Sequence, residues 1–166
     1  MAKIQRITPC LWFDRQAEEA VNFYTSVFPN SRTTAVSRYG EAGREVHGGE
    51  PGSVLTIAFE LDGVAFTALN GGPHFRFNEA ISLQVNCDTQ QEIDHYWSRL
   101  AEGGDPQAQQ CGWLKDRFGL SWQVVPSSMA RLMTSGADKA ERVMSSVLKM
   151  KKIDLAALER AYAGQA

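Results

Sequence analysis

Cys10-Leu-Trp-Phe-Asp-Arg-Gln-Ala-Glu-Glu-Ala-Val-Asn-Phe-Tyr24 is echoed 72 positions later by Ser82-Leu-Gln-Val-Asn-Cys-Asp-Thr-Gln-Gln-Glu-Ile-Asp-His-Tyr96. Each stretch opens with the two-residue alternation of a strand and passes into the three-to-four-residue spacing of a helix. A second pair, Gly63-Val-Ala-Phe-Thr-Ala-Leu69 and Gly119-Leu-Ser-Trp-Gln-Val-Val125, aligns at an offset of 56, so the second copy is 16 residues shorter between its helix and its last strand. Self-similarity on this scale marks a duplicated supersecondary unit. The missing stretch corresponds to loop: residues 40–52 hold five glycines among Glu, Arg, His and Pro, a composition that predicts an exposed, mobile connection.

Working outward, Ala17, Ala20, Val21, Tyr24, Val27 and Phe28 form one apolar helix face, with Asp14 as the expected N-cap and Pro29 as the stop. Thr89-Gln-Gln-Glu92 reads as a capping box ahead of Ile93, Tyr96, Trp97 and Leu100, with Gly103-Gly104 closing the helix. Strands are expected at Ile4–Phe13, Thr33–Tyr39, Val54–Leu61, Val64–Leu69, Ala80–Asn86, about Gln107–Cys111, a short segment at Trp113, and Leu120–Val125. The expected architecture is α+β: β-α-β-β-β twice, module one over about 4–70 and module two over about 80–126. Beyond them, residues 127–166 form a helical C-terminal extension with starts near Ser127, Asp138 and Asp154. The whole is read as a single domain, the extension covering sheet edges or making a subunit contact.

Composition narrows the class. Of 166 residues 43% are hydrophobic and 22% charged, with a net charge of -2, which excludes disordered and fibrous chains. Seventeen basic against nineteen acidic residues leave no field to attract nucleic acid. The longest apolar run, Val54–Phe59, is far short of a membrane span, and the first residues lack the apolar core of a secretion signal. Cys10, Cys87 and Cys111 are odd in number and lack CxxC spacing, so neither a disulfide framework nor a zinc knuckle is expected. A cytoplasmic protein that binds neither nucleic acid nor membrane is the expectation. There is no G-x-G-x-x-G turn of the kind that seats a nucleotide cofactor.

The paired modules, with Phe23-Tyr24, Phe28-Pro29, Asp116-Arg117-Phe118-Gly119 and Trp122-Gln123, resemble the PhnB-like branch of the glyoxalase/bleomycin-resistance/extradiol-dioxygenase superfamily, the vicinal oxygen chelate fold. Members of this branch carry the label 3-demethylubiquinone-9 3-methyltransferase. The resemblance implies a curved mixed sheet, a ligand cavity on its inner face and a homodimer. In metal-dependent relatives a His or Glu sits near the start of each module's first strand and in each closing strand. Here those places fall at Thr8 (or Pro9), Thr67, Ala80 (or Ile81) and Gln123, none of them an imidazole or carboxylate. No metal and no other cofactor is therefore expected.

Strand alternation divides the remaining residues into two faces. Leu11, Phe13, Leu83 and Val85 with Val64, Phe66, Ala68, Leu120, Trp122 and Val124 should pack under the helices. The opposite parity supplies the candidate ligand-binding residues Thr8, Cys10, Trp12, Thr67, Ser82, Gln84, Ser121 and Gln123, joined by His74 in the loop after a cavity strand and Trp113 near the rim. This is an apolar wall with a few polar groups, as a small-molecule pocket needs. Trp12, replaced by Gln84 in the second copy, is the candidate stacking residue. Cys10 and Cys111 are read as small hydrophobes or as reactive thiols; His47 and His95 are read as an ordinary loop and an exposed helical residue. The expected function is metal-free binding of a small, partly aromatic molecule. The alternative is an enzyme of the same superfamily, a lyase, isomerase or thiol transferase with an atypical metal or none.

Overall fold

The structure is a computed structural model that describes residues 4–165, and it divides into two compact units, residues 1–76 and 77–166. In the first, β1 (Cys10–Phe13) leads into α1 (Ala17–Val27), followed by β2 (Arg32–Arg38), a one-turn helix α2 (Arg44–His47), β3 (Val54–Leu61) and β4 (Val64–Asn70). The sheet order is β1-β4-β3-β2, with β1 parallel to β4 and the other pairs antiparallel. This is the expected β-α-β-β-β module with α2 added inside the glycine-rich stretch.

Alternation separates its faces as expected. Leu11, Phe13, Ile57, Phe59, Leu61, Phe66 and Ala68 are buried, as are Ala17, Ala20, Val21, Phe23, Tyr24 and Val27 of α1. Removing these apolar surfaces from water is what holds helix to sheet. Val64, assigned to that face, is half exposed instead, at the open turn where β4 begins. The helix cap also differs from expectation. Gln16, rather than Asp14, is the N-cap and contributes no side-chain bond. The Ala17 N–H instead donates to Asn70 Oδ1 (2.9 Å), whose Nδ2 donates to the Val54 carbonyl (3.1 Å). A residue from the last strand thus satisfies one of the four orphan donors of α1. Sequence neighbours could not reveal so distant a partner.

The second unit contains β5 (Ser82–Cys87), α3 (Gln90–Ala101), β6 (Trp113–Lys115) and β7 (Ser121–Pro126), in the order β5-β7-β6, with β5 and β7 parallel. The Thr89–Glu92 capping box is formed in both directions. One expected strand is absent. Residues 106–108 form a 3-10 turn, begun by Pro106 and capped by Asp105, and only an isolated bridge from Gln110 to Trp113 continues it. The fixed φ of Pro106 at the first position of this turn and the Asp105 cap favour the turn over a strand, and the second module pairs three strands rather than four.

Three helices follow, α4 (Met129–Thr134), α5 (Ala137–Val147) and α6 (Leu155–Ala163). Asp154 caps α6 as expected, whereas the N-cap of α5 is Gly136 and Asp138 lies in its first turn. Within the second unit the extension is joined to the β5–β7 module by backbone hydrogen bonds. The N–H groups of Cys111 and Gly112 donate to the carbonyls of Met150 and Lys151, both at 2.8 Å. Gln90 accepts from the Leu155 N–H (2.8 Å) and donates to the Ile153 carbonyl (3.1 Å), while Leu132, Val143, Ile153 and Leu158 are fully buried. No helix among the described residues is long and apolar enough to cross a membrane.

Candidate functional site

A cavity of about 420 Å³ opens on the first unit. Its floor is sheet: Trp12 of β1 lies opposite Leu69 of β4, and Leu55 of β3 completes it. Its far wall is the glycine-rich stretch, which contributes Tyr39, Gly40, Ala42, Val46 and His47, and its rim carries Gly71 and His74. Such a volume falls within the range of small-molecule sites.

Close backbone approach sets both aromatic walls. A Cβ added at Gly71 would come within 2.2 Å of the Trp12 indole, and one at Gly49 within 2.6 Å of the Tyr39 ring. Each ring therefore rests against a backbone that only glycine permits. The polar tips are bonded inward. Trp12 Nε1–H donates to the Gly72 carbonyl (2.9 Å), and the Tyr39 hydroxyl donates to the Asn70 carbonyl. Phe75 meets Trp12 edge to face, with ring centroids 4.9 Å apart.

His47 closes the far wall. Its Nδ1 accepts from the Gly49 N–H (2.9 Å), which leaves the proton on Nε2 to donate to the Ala42 carbonyl (3.1 Å). Its ring lies 4.5 Å from that of Tyr39. Residues 40–52 are mostly exposed, as expected, and from them Gly40, Ala42, Val46 and His47 line the cavity. His74, also on the rim, has no hydrogen bond among the described residues.

The candidates read from the sequence fall into three groups. Trp12 and His74 line the cavity. Thr8, Cys10 and Thr67 are on the first unit outside the lining; Cys10 pairs with Thr67 in register, and burial pushes its thiol pKa up. Ser82, Gln84, Trp113, Ser121 and Gln123 share one face of the second unit's sheet, where Ser82 pairs with Ser121 and both Gln84 and Trp113 pair with Gln123. There Gln123 Nε2–H donates to Ser82 Oγ (2.8 Å), Gln84 donates to Asn86 Oδ1 (2.8 Å), and the buried Ser121 hydroxyl has no partner among the described residues. Tyr39, Val46, Leu55 and Leu69 were not among the candidates. Leu69 shares the strand parity of Thr67, and Tyr39 is an aromatic residue at the mouth of a glycine-rich stretch that also contains a histidine; these were the available signals.

The donor set decides which cofactors fit. Thr8, Thr67, Ala80 and Gln123 offer hydroxyl, methyl and amide groups, and among the described residues no three His, Cys, Asp or Glu are grouped to hold a metal. These residues do not fit the superfamily's metal. Nor does the cavity fit S-adenosylmethionine, the donor that a methyltransferase name implies. Its lining has no carboxylate to take the ribose hydroxyls, and the turn from β2 into the one-turn α2 lacks the G-x-G-x-x-G pattern.

Comparison with known proteins places the fold. Over 74% of this chain and 99% of the other, the PhnB protein of Bacillus cereus, which carries a 3-demethylubiquinone-9 3-methyltransferase name, is 38% identical with a TM-score of 0.64. A Pseudomonas aeruginosa protein (22% identity, TM-score 0.56, 74% of this chain and 98% of that one) shares the fold. So does the genomically encoded fosfomycin resistance protein of Listeria monocytogenes (12%, 0.52, 76% and 94%). No curated protein matches. The profile of the family described as 3-demethylubiquinone-9 3-methyltransferase matches residues 5–125, both modules and none of α4–α6. The chain therefore belongs to that family, the PhnB-like branch of the glyoxalase/bleomycin-resistance superfamily.

Proposed function

We propose that the chain is a metal-free small-molecule-binding protein and that the cavity of the first unit is its ligand seat. The observation that carries this reading is the pair of aromatic walls, Trp12 and Tyr39, each resting against a glycine at a distance no other residue permits. The neutral groups at the superfamily's metal positions support the metal-free part. We read the protein as a cytoplasmic homodimer, with Ser82, Gln84, Ser121, Gln123 and Trp113 as further ligand-binding residues alongside Thr8, Cys10 and Thr67, all within a single domain. Dimerisation is supported by β2, whose residues are all exposed and whose outer edge has no partner strand among the described residues. Three free cysteines suit a reducing compartment.

Native mass spectrometry tests these points together. The wild type, incubated with a cell metabolite extract, gains one small-molecule adduct per chain, and Leu69→Trp, which fills the cavity, does not. Incubation with zinc, nickel or manganese adds no stoichiometric metal. Absence of any adduct on the wild type, or an equal adduct on Leu69→Trp, overturns the ligand seat. One metal per chain overturns the metal-free reading and turns attention to lyase or isomerase chemistry.

A further inference from the structure

We infer that the ligand of this cavity is a flat aromatic molecule, uncharged where it is enclosed and bearing one hydrogen-bonding substituent directed at His74. The inference rests on the ligand seat proposed above and follows from how the wall spends its polar atoms. Trp12 Nε1–H is committed to Gly72 and the Tyr39 hydroxyl to Asn70. Both nitrogens of His47 are committed, one to Gly49 and one to Ala42. Ala42, Val46, Leu55 and Leu69 bring only aliphatic side chains. No Lys, Arg, Asp or Glu lines the cavity.

Three rings thus line the cavity with their polar edges saturated by protein, and the other side chains there except His74 are aliphatic. A polar ligand entering here would surrender hydration without recovering it, and a multiply charged one would lose far more. A flat ring system gives up little water at its faces and gains stacking or edge-to-face contact. Against this background the imidazole of His74 is distinctive, being the rim group with neither ring nitrogen engaged among the described residues. It can donate to or accept from one substituent, and so orient a ligand that the rest of the wall holds only by shape.

The test is calorimetric titration of the full chain with four probes that separate these features: 2-naphthol, naphthalene, trans-2-decalol and 2-naphthyl phosphate. The expected result is one 2-naphthol per chain, with the saturated decalol weaker by about fivefold or more and the phosphate weaker by more than about tenfold. His74→Ala, an exposed substitution, should weaken 2-naphthol by about fivefold and leave naphthalene unchanged. Equal binding of decalol and naphthol, tight binding of the phosphate, or equal losses for naphthol and naphthalene in His74→Ala each overturns the inference. If no probe binds but the metabolite adduct described above is captured, the ligand class is wrong while the seat stands. If neither is seen, both fall.

Discussion

Asp116 and Trp122 are joined inside the second unit, where the indole Nε1–H donates to Asp116 Oδ2 at 2.8 Å. The other oxygen, Oδ1, accepts from the N–H groups of Phe118 (2.8 Å) and Leu120 (3.1 Å), so a carboxylate 3% exposed anchors both the turn and the strand that follows. The Asp-Arg-Phe-Gly motif is thus a structural clamp, and its acidic member serves the fold. Asp116→Ala removes the carboxylate that accepts from the buried indole N–H and two amides. It should cost about 3 kcal/mol in urea unfolding without altering probe binding to the first unit. A loss below about 0.5 kcal/mol would show that the clamp does not hold the turn.

Gly71→Ala isolates the Trp12 contact. Its methyl group would meet the indole at 2.2–2.5 Å, so the ring must leave its place and its bond to Gly72 must lengthen. Weakening of 2-naphthol by about tenfold or more is expected, with stability falling by about 1–3 kcal/mol as for other overpacked sites. Unchanged affinity in a folded Gly71→Ala protein would remove Trp12 from the ligand wall.

The C-terminal extension is expected to act on stability before it acts on association. Removing residues after Ser135 strips Val143, Val147, Ile153 and Leu158 from the second unit and frees the Cys111 and Gly112 amides. Thermal melts should show a markedly lower or less cooperative transition. Gln90→Ala, which loses two hydrogen bonds to the 153–155 segment, should cost about 1–2 kcal/mol with the chain otherwise intact. A truncated chain melting like the full one would make the extension an accessory.

Thiol reactivity should follow burial. Cys87 is fully buried and its pKa is pushed up to about 11, first by desolvation and then by the carboxylates of Glu92 and Asp88. At pH 8 only about one in a thousand such thiols is ionised, so iodoacetamide should leave Cys87 unmodified until the protein unfolds. Cys10, exposed but with its thiol pKa raised by partial desolvation, should label more slowly than a free thiol and faster as pH rises. Because the folded-state pKa of Cys87 lies above the unfolded one, its contribution to stability is complete below about pH 8.5 and is lost as pH rises towards 11. Rapid labelling of native Cys87 at pH 8 would contradict this burial.

The repeat and the face assignment were legible because they rest on local periodicity. Leu11, Phe13, Phe66, Trp122 and Val124 are buried where alternation puts them. What could not be read depends on partners far along the chain. Asn70 replaces Asp14 as the source of the helix cap, and a 3-10 turn over residues 106–108, capped by Asp105, stands where composition allowed a strand. The cavity was half legible. Trp12 and His74 follow from strand parity and loop position, but Tyr39 and His47 are held by bonds to Asn70, Gly49 and Ala42 that a glycine-rich composition does not advertise.

The longer crossover of the first unit has an entropic meaning. Cys10 and Thr67, paired across β1 and β4, are 57 positions apart, whereas Ser82 and Ser121, paired across β5 and β7, are 39 apart. Chain-closure entropy grows only with the logarithm of that separation, so the longer ring costs the first unit about 0.3 kcal/mol more to close. The segment carrying Tyr39 and His47 is therefore an almost weightless insertion. Natural variation can lengthen, shorten or rewrite it, and with it the shape of the cavity, while the paired strands beneath keep their register.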